Sequence, residues 1–302
     1  MAKKILITGG SGLLGQHLTR LLQESGYSVA WLGRSGKAPD GVQGYQWNPS
    51  QGQIDPEAVQ DCHAIIHLAG AGVADKRWSP ARKKLVLDSR TQTAQLLFDS
   101  ISVLESKPPC FLSASAIGYY GMDTGSDWVD ETTKAGTDYL SEVVIAWEQA
   151  ADQFTELGMR VAKIRIGIVL ASEGGALPKL MQPIKLGVGS PIGSGQQFMS
   201  WVHIHDVCRQ FLWALEEDTV KGSFNAVAPN PVTNREITKA VAKQLKKPLW
   251  APNVPPFVLR LAFGEMAGIL LGGNRVSSKA VEESGFAYHF SNLSEALKDL
   301  LG

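Results

Sequence analysis

Apolar residues fall in short runs separated by amphipathic stretches. Residues 5–7 (ILI) form one run, ending in Thr8, after which Leu14, Leu18, Leu21 and Leu22 recur at helical spacing. The pattern then repeats. Residues 27–32 read as a second strand, 44–47 as a weak third and 64–69 (AIIHLA) as a buried fourth. Residues 83–104 carry a long helical pattern ended by Pro108 and Pro109, and 110–115 read as the fifth strand. A helix over 139–157 closes at Gly158, and 160–170 (RVAKIRIGIVL) reads as one more strand with Ile164, Ile166 and Ile168 on one face. Strands alternating with helices predict an α/β fold built on a Rossmann-like, doubly wound, mainly parallel sheet.

The rhythm breaks over residues 174–195 (GGALPKLMQPIKLGVGSPIGSG), which are rich in Gly and Pro. Residues 200–207 read as a strand entering a helix that runs to 217, and 224–227 as a short strand. A helix over 234–245 opens with Thr233 as its cap and Glu236 three residues on. After the PNVPP stretch, residues 257–301 read as short helices forming a lid-like lobe. The expected division is a dinucleotide-binding domain over 1–170, rejoined by 200–230, and a smaller substrate lobe made of 171–199 and 231–302.

Chemistry enters at the first turn. Gly9, Gly12 and Gly15 follow a strand and open a helix, which is the setting of a dinucleotide site. Gly9 permits the tight turn, Gly12 a close approach to a pyrophosphate and Gly15 helix-on-strand packing. Ser11 and Leu13 complete the loop, and the helix N-terminus offers free N–H groups to phosphate. At the end of the second strand, where an NAD-selective site carries an acid, this chain reads Gly33-Arg34-Ser35. Arg34 offers a fork to a 2′-phosphate, so the expected cofactor is NADP(H). Leu68, Ala69 and Gly70 give the ribose a small-residue strand end, Arg90 is a candidate phosphate contact, and Val169 is a further cofactor-binding candidate.

Composition narrows the classes. Twenty-nine basic residues balance twenty-nine acidic ones, which argues against a nucleic-acid or anionic-membrane partner. Cys62, Cys110 and Cys208 are widely spaced and read as buried free thiols of a reducing, cytoplasmic compartment. No apolar leader precedes the first strand and no membrane-length apolar run occurs.

Several segments resemble a known group. TGGSGLLG, HLAG, SASAIGYYG and SWVHIHD are similar to the extended short-chain dehydrogenase/reductase superfamily. ADKRW, Trp147-Glu148, GGALPKL, LGVGSPIGSGQQFMSWVHIHD and GEMAGILLGGNRV look like its epimerase-family branch, the YfcH-like proteins with a small C-terminal (DUF1731-type) lobe. The resemblance implies NADP(H) binding, a polar and possibly sugar-nucleotide small-molecule substrate, and epimerase or reductase chemistry. It also suggests a homodimer through the helices at 83–104 and 139–157.

In that superfamily a Ser or Thr at the end of the fifth strand binds the reacting oxygen. A Tyr in a YxxxK motif moves the proton, its phenol made acidic by the Lys. Ser115 fits the first role, with Ser113 out of register. Tyr139 falls where the Tyr belongs, but Val143 stands four residues on, and no Lys occurs between Lys134 and Lys163. Three readings stay open: Tyr139 acts with another cation or with the cofactor's own charge, Tyr119 or Tyr120 is the acid/base, or the chain binds the nucleotide as a sensor without turnover. His203, His205 and Asp206 read as a strand entering a helix capped by Asp206, with His203 near a substrate pocket and no metal site expected. Lys179, in the segment expected to wall the cleft, is a candidate partner for an anionic substrate group.

Overall fold

The structure is a computed structural model and describes residues 2–302. Eight strands build one sheet: β1 (Lys4–Thr8), β2 (Ser28–Gly33), β3 (Gln43–Asn48), β4 (Gln53–Ile54), β5 (Cys62–His67), β6 (Cys110–Ala116), β7 (Arg160–Ile166) and β8 (Gly222–Ala226). Their spatial order is β8-β7-β6-β5-β1-β2-β3-β4, parallel except for the β3–β4 hairpin. Chain direction reverses its winding between β1 and β5, the switch point where open α/β sheets take ligands.

Alternation along each strand decides which helices cover it. Ile5, Ile7, Ile66, Leu112 and Ile164 face one side, packing with Leu18 and Leu22 of helix α1 (Leu13–Glu24). Leu6, Ile65, Phe111 and Val161 face the other, beneath helices α2 (Pro80–Ser102) and α3 (Tyr139–Asp152). Both faces are dry, so the strands read as continuous apolar runs. Phe111 stacks on Phe154 at a 3.7 Å centroid distance, closing the α2/α3 layer.

The second half departs from expectation in three places. The strand expected over 160–170 breaks at Gly167, because Ile168–Leu170 leaves β7 and pairs with Trp201–His203. A Cβ at Gly167 would stand 2.4 Å from the Ser200 carbonyl oxygen, so only glycine lets the strand change partners there. The Gly/Pro-rich segment holds a helix, α4 (Leu177–Lys185), bracketed by glycines. Asp206 does not cap helix α5 (Ile204–Glu216). His203 does, its Nδ1 accepting from the His205 amide at 3.1 Å, and His205 already lies in the helix. The expected cap of α6 (Asn234–Gln244) is present as a full box between Thr233 and Glu236.

Asp206 instead ties down the C-terminal lobe. It is fully buried and accepts from the His289 and Phe290 amides, both at 2.9 Å, while Arg209 pairs with it and donates to the Ala287 carbonyl. A second seam runs along Arg275–Val276, which pairs in parallel with Trp128–Val129. Ser200 Oγ donates to the Asn274 carbonyl and accepts from the Val276 amide, and Asn274 Nδ2 donates to the Gly121 carbonyl at 2.7 Å. The lobe is thus stitched to the sheet rather than hinged on it. All three cysteines are buried free thiols, with Cys62 and Cys110 pushed up to about 11 by burial. Among the described residues no helix is long and apolar enough to cross a membrane.

Asp206→Asn keeps one acceptor and leaves the second amide facing an NH2 group. The expected cost is about 2–4 kcal/mol, read from urea unfolding midpoints and accompanied by new proteolytic cutting near residues 285–292.

Candidate nucleotide-binding site

Helix α1 begins bare. Gly12 is its N-cap, with no side-chain cap and no acidic residue in the first turn. The free first-turn N–H groups and the positive helix end therefore face outward beside exposed Ser11 and Gly12. The loop is seated by close backbone approach. Gly9 has φ +72°, and a Cβ on it would lie 3.0 Å from the Ala69 nitrogen. A Cβ on Gly15 would lie 2.6 Å from Gly10 Cα. Gly10, outside the expected three-residue spacing, lies flat on Trp31, where a Cβ would come within 2.5 Å of the indole. Trp31 is fixed in turn by its Nε1–H donating to Thr19 Oγ1 at 2.8 Å. A bulky residue in β2 at the partner position of Ile7 was the available signal for Gly10. This cradle has the shape and polarity that a dinucleotide pyrophosphate requires.

The opposite wall is the strand end Leu68-Ala69-Gly70. Thr8 Oγ1 accepts from the Leu68 and Ala69 amides, each at 3.1 Å, which leaves its proton for His67 Nδ1 at 2.8 Å. That acceptor role places the imidazole proton on Nε2, facing Thr93 Oγ1 of α2 at 3.3 Å. Burial pushes His67 down to about 4, so it is neutral at ordinary pH.

Arg34 is exposed just beyond β2, with no acidic neighbour bound to it. Gly33 beside it meets nothing within 4 Å of a built Cβ. Arg90 is buried, not extended into the cleft. Its Nη1 donates to the Ala71 and Val86 carbonyls, and its guanidinium sits 4.7 Å above the Trp147 ring. Burial lowers it to about 10. Its place directly under Gly70 makes it a support for the cleft wall. Val169 is part-buried at the far side, next to Gly175, and Leu13 packs on Gly174.

The candidate reacting groups are brought into two separate sets. Ser115 is buried and donates to Glu148 Oε1 at 2.6 Å. Glu148 is gripped in two-pronged fashion by Arg165, at 2.8 and 2.9 Å, and accepts from Ser223. Burial alone would raise this carboxyl, but the Arg165 bonds and charge hold it below its usual value. Arg165 continues to the Tyr120 hydroxyl, which donates to Asn225 Oδ1 at 2.8 Å, and burial pushes that phenol up to about 12. The Arg165 guanidinium also lies 3.5 Å from the Tyr119 ring centroid. Tyr139 belongs to the second set. Its hydroxyl donates to the Lys83 carbonyl at 3.0 Å, its ring meets Trp78 edge-on, and Lys83 Nζ sits 4.7 Å above it. Glu148 and Arg165 went unread in the sequence as a site. Lys163 and Arg165 alternating on an otherwise apolar buried strand required an acid on the facing helix, and that was the signal. His203 stacks on Phe290, with Nε2 3.2 Å from Asp299 Oδ2, and Lys179 is exposed on α4.

His67 makes stability depend on pH. The unfolded imidazole titrates near 6.5 and the folded one near 4. As pH falls the unfolded chain binds the proton first, so stability is full above about 6.5 and drains away toward pH 4, by up to about 3 kcal/mol. In His67→Asn that dependence is expected to vanish. Denaturant unfolding at intervals from pH 7.5 to 4.5 measures it, and an identical slope in both proteins would contradict the assignment.

Residues 5–226 match the NAD dependent epimerase/dehydratase family, and residues 254–300 match a domain of unknown function, DUF1731. An epimerase family protein of Mycobacterium bovis is 36% identical over 297 residues, spanning 97% of this chain and 96% of the relative. The crystal structure of human epimerase family protein SDR39U1 with NADPH is similar at a TM-score of 0.87 and 32% identity, covering 99% of both chains. A nucleoside-diphosphate sugar epimerase from Corynebacterium glutamicum is similar at 0.82 and 28% identity, covering 100% of this chain and 59% of that one. With its bare helix end, its glycine cradle and matches running nearly from end to end, the chain belongs to the NAD dependent epimerase/dehydratase family.

Proposed function

We propose that this chain is an NADP(H)-dependent enzyme of the epimerase or oxidoreductase type. Its small-molecule substrate enters the cleft between the C-terminal edge of the sheet and the C-terminal lobe. The observation that carries the reading is Arg34: an exposed guanidinium, free of any acid, at the strand end where the adenosine ribose of a bound dinucleotide would lie. The NADPH held by the similar human protein agrees with it. The free first-turn amides of α1 from Leu13 onward, with Ser11 beside them, would hold the pyrophosphate, the Gly12 amide being bonded to the Gly9 carbonyl. Leu68, Ala69, Gly70 and Val169 would flank the rest, with Arg90 bracing the wall. A nicotinamide dinucleotide supplies hydride transfer when bound. The chain's own contribution is to orient the substrate and hold protons, and Ser115, Tyr119 and Tyr139 are the candidate groups.

A second reading, an NADP(H)-binding sensor without turnover, is favoured by one specific observation. The protons of Ser115 and Tyr139 are committed to Glu148 and to the Lys83 carbonyl, and the YxxxK lysine is missing. Turnover with Ser115 or Tyr139 as proton donor would require one of those bonds to open, and Tyr119 is the candidate whose hydroxyl neither bond engages.

Arg34→Ala is expected to weaken NADPH by about 1.5–3 kcal/mol while barely changing NADH, as read by fluorescence titration. Equal losses for both would remove Arg34 from 2′-phosphate recognition. Absorbance at 340 nm across sugar nucleotides and small carbonyl compounds separates the two readings. Turnover abolished in Ser115→Ala supports the enzyme; tight NADPH binding with no turnover on any substrate supports the sensor.

A further inference from the structure

A cavity of about 580 Å3 opens between the loop after β6 and the C-terminal lobe, a volume suited to a small molecule. Met122, Ala267 and Leu271 give it apolar walls, and Gly264, Gly268 and Gly272 keep side chains out of it. Contact requires glycine most strictly at Gly272, which meets backbone, while Gly268 meets a flexible side chain. A Cβ on Gly268 would stand 2.8 Å from Met122 Sδ, and one on Gly272 would stand 2.3 Å from the Met122 carbonyl oxygen.

Charge around the cavity is unbalanced. Glu265 is neutralised, both of its oxygens accepting from Lys83 Nζ at 2.7 Å. Asp123 Oδ1 accepts from the Gly125 and Gly273 amides. Arg260 borders the cavity, is exposed and has no side-chain hydrogen bond or ion pair among the described residues. Arg77 is equally free and stands over Gly264, where a Cβ would lie 2.8 Å from its Nε. Two unpaired guanidinium groups therefore overlook an apolar hollow. Nearby, the helix Pro256–Phe263 turns Phe257 and Leu261 to solvent, 70% and 79% exposed and one turn apart. A polyol needs several convergent donors and acceptors, and besides Arg260 the polar side chains lining this hollow are Glu265, whose two oxygens both go to Lys83, and Asp123, one of whose oxygens is held by two amides.

We propose that the cavity binds an amphipathic anion. An apolar body would lie against Met122, Ala267 and Leu271, and a carboxylate or phosphoryl group would be held by Arg77 and Arg260. Guanidinium forks match both head groups, and the apolar wall rewards each methylene it covers. The proposal defines a substrate class for the enzyme proposed above, and only its identification as substrate rests on that reading.

The test is calorimetric titration of the full chain, with and without saturating NADPH, using butyl, hexyl and octyl phosphate, octanoate, octanol, inorganic phosphate and UDP-glucose. Affinity is expected to rise about three- to fourfold per methylene from butyl to octyl. Octanol and inorganic phosphate should each bind at least tenfold more weakly than octyl phosphate. The Arg77→Ala/Arg260→Ala double variant, altered only at exposed side chains, should lose at least tenfold toward octyl phosphate and octanoate and little toward octanol. The ranking of octanoate against octyl phosphate identifies the head group. A flat chain-length series, an unaffected double variant, or UDP-glucose outranking octyl phosphate would overturn the proposal. NADPH binding is read separately in the same titrations, so failure of the cofactor reading and failure of the cavity reading give different results.

Discussion

Close backbone approach at the first turn is the constraint on which the rest of this molecule depends. Gly9 against the Leu68–Ala69 peptide, Gly10 against the Trp31 indole and Gly15 against Gly10 leave no room for a Cβ. They fix the start of α1 above the end of β1 without any capping side chain. A helix end left uncapped is a local cost that a bound anion removes. The Thr8–His67–Thr93 relay fixes the facing wall in the same economical way, with both imidazole nitrogens partnered and the ring kept neutral by burial. Cradle and wall meet where the sheet reverses its winding, so fold topology and nucleotide recognition are a single arrangement.

The polar ladder under the sheet's other half has a different logic. Ser115, Arg165 and Asn225 are cross-strand neighbours on β6, β7 and β8; Glu148 reaches Ser115 and Arg165 from α3, and Tyr120 bonds to Asn225. A buried ion pair is an uncertain source of stability, yet removing one partner leaves an uncompensated charge costing about 3–5 kcal/mol. The ladder therefore specifies how α3 sits on the sheet. It also occupies the hydroxyl that resemblance nominates for catalysis, and the same helix presents Leu140 and Val144 to Gly118. The chemistry of this site is set as much by which protons are already spoken for as by which residues are present.

Much of this was legible in the sequence. Apolar runs announced β1, β5 and β6 as strands, that of β5 as a buried one, and the glycine spacing announced the cradle. What escaped reading depended on contacts distant along the chain. Gly10 matters because of Trp31, one strand away. Arg90 looked like a surface or phosphate-binding arginine because nothing local shows that Trp147 lies beneath it. Asp206 looked like a cap because Asp near a helix start usually is one; its amide partners come from residues 289 and 290. The break at Gly167 is invisible to periodicity, since apolar residues continue on both sides of it and the Ser200 carbonyl that crowds Gly167 lies far along the chain.

The glycine-lined seam where residues 268–273 press on Met122 and Phe198 has a mechanical consequence. Carbonyl oxygens lie so near those alpha carbons that the two surfaces cannot separate part-way without baring unpaired amides such as that of Thr124, which bonds to Gly273. The tail behaves as a rivet. Residues 268–273 thus form a wall braced by backbone contacts, and shifting it costs the Thr124–Gly273 hydrogen bond.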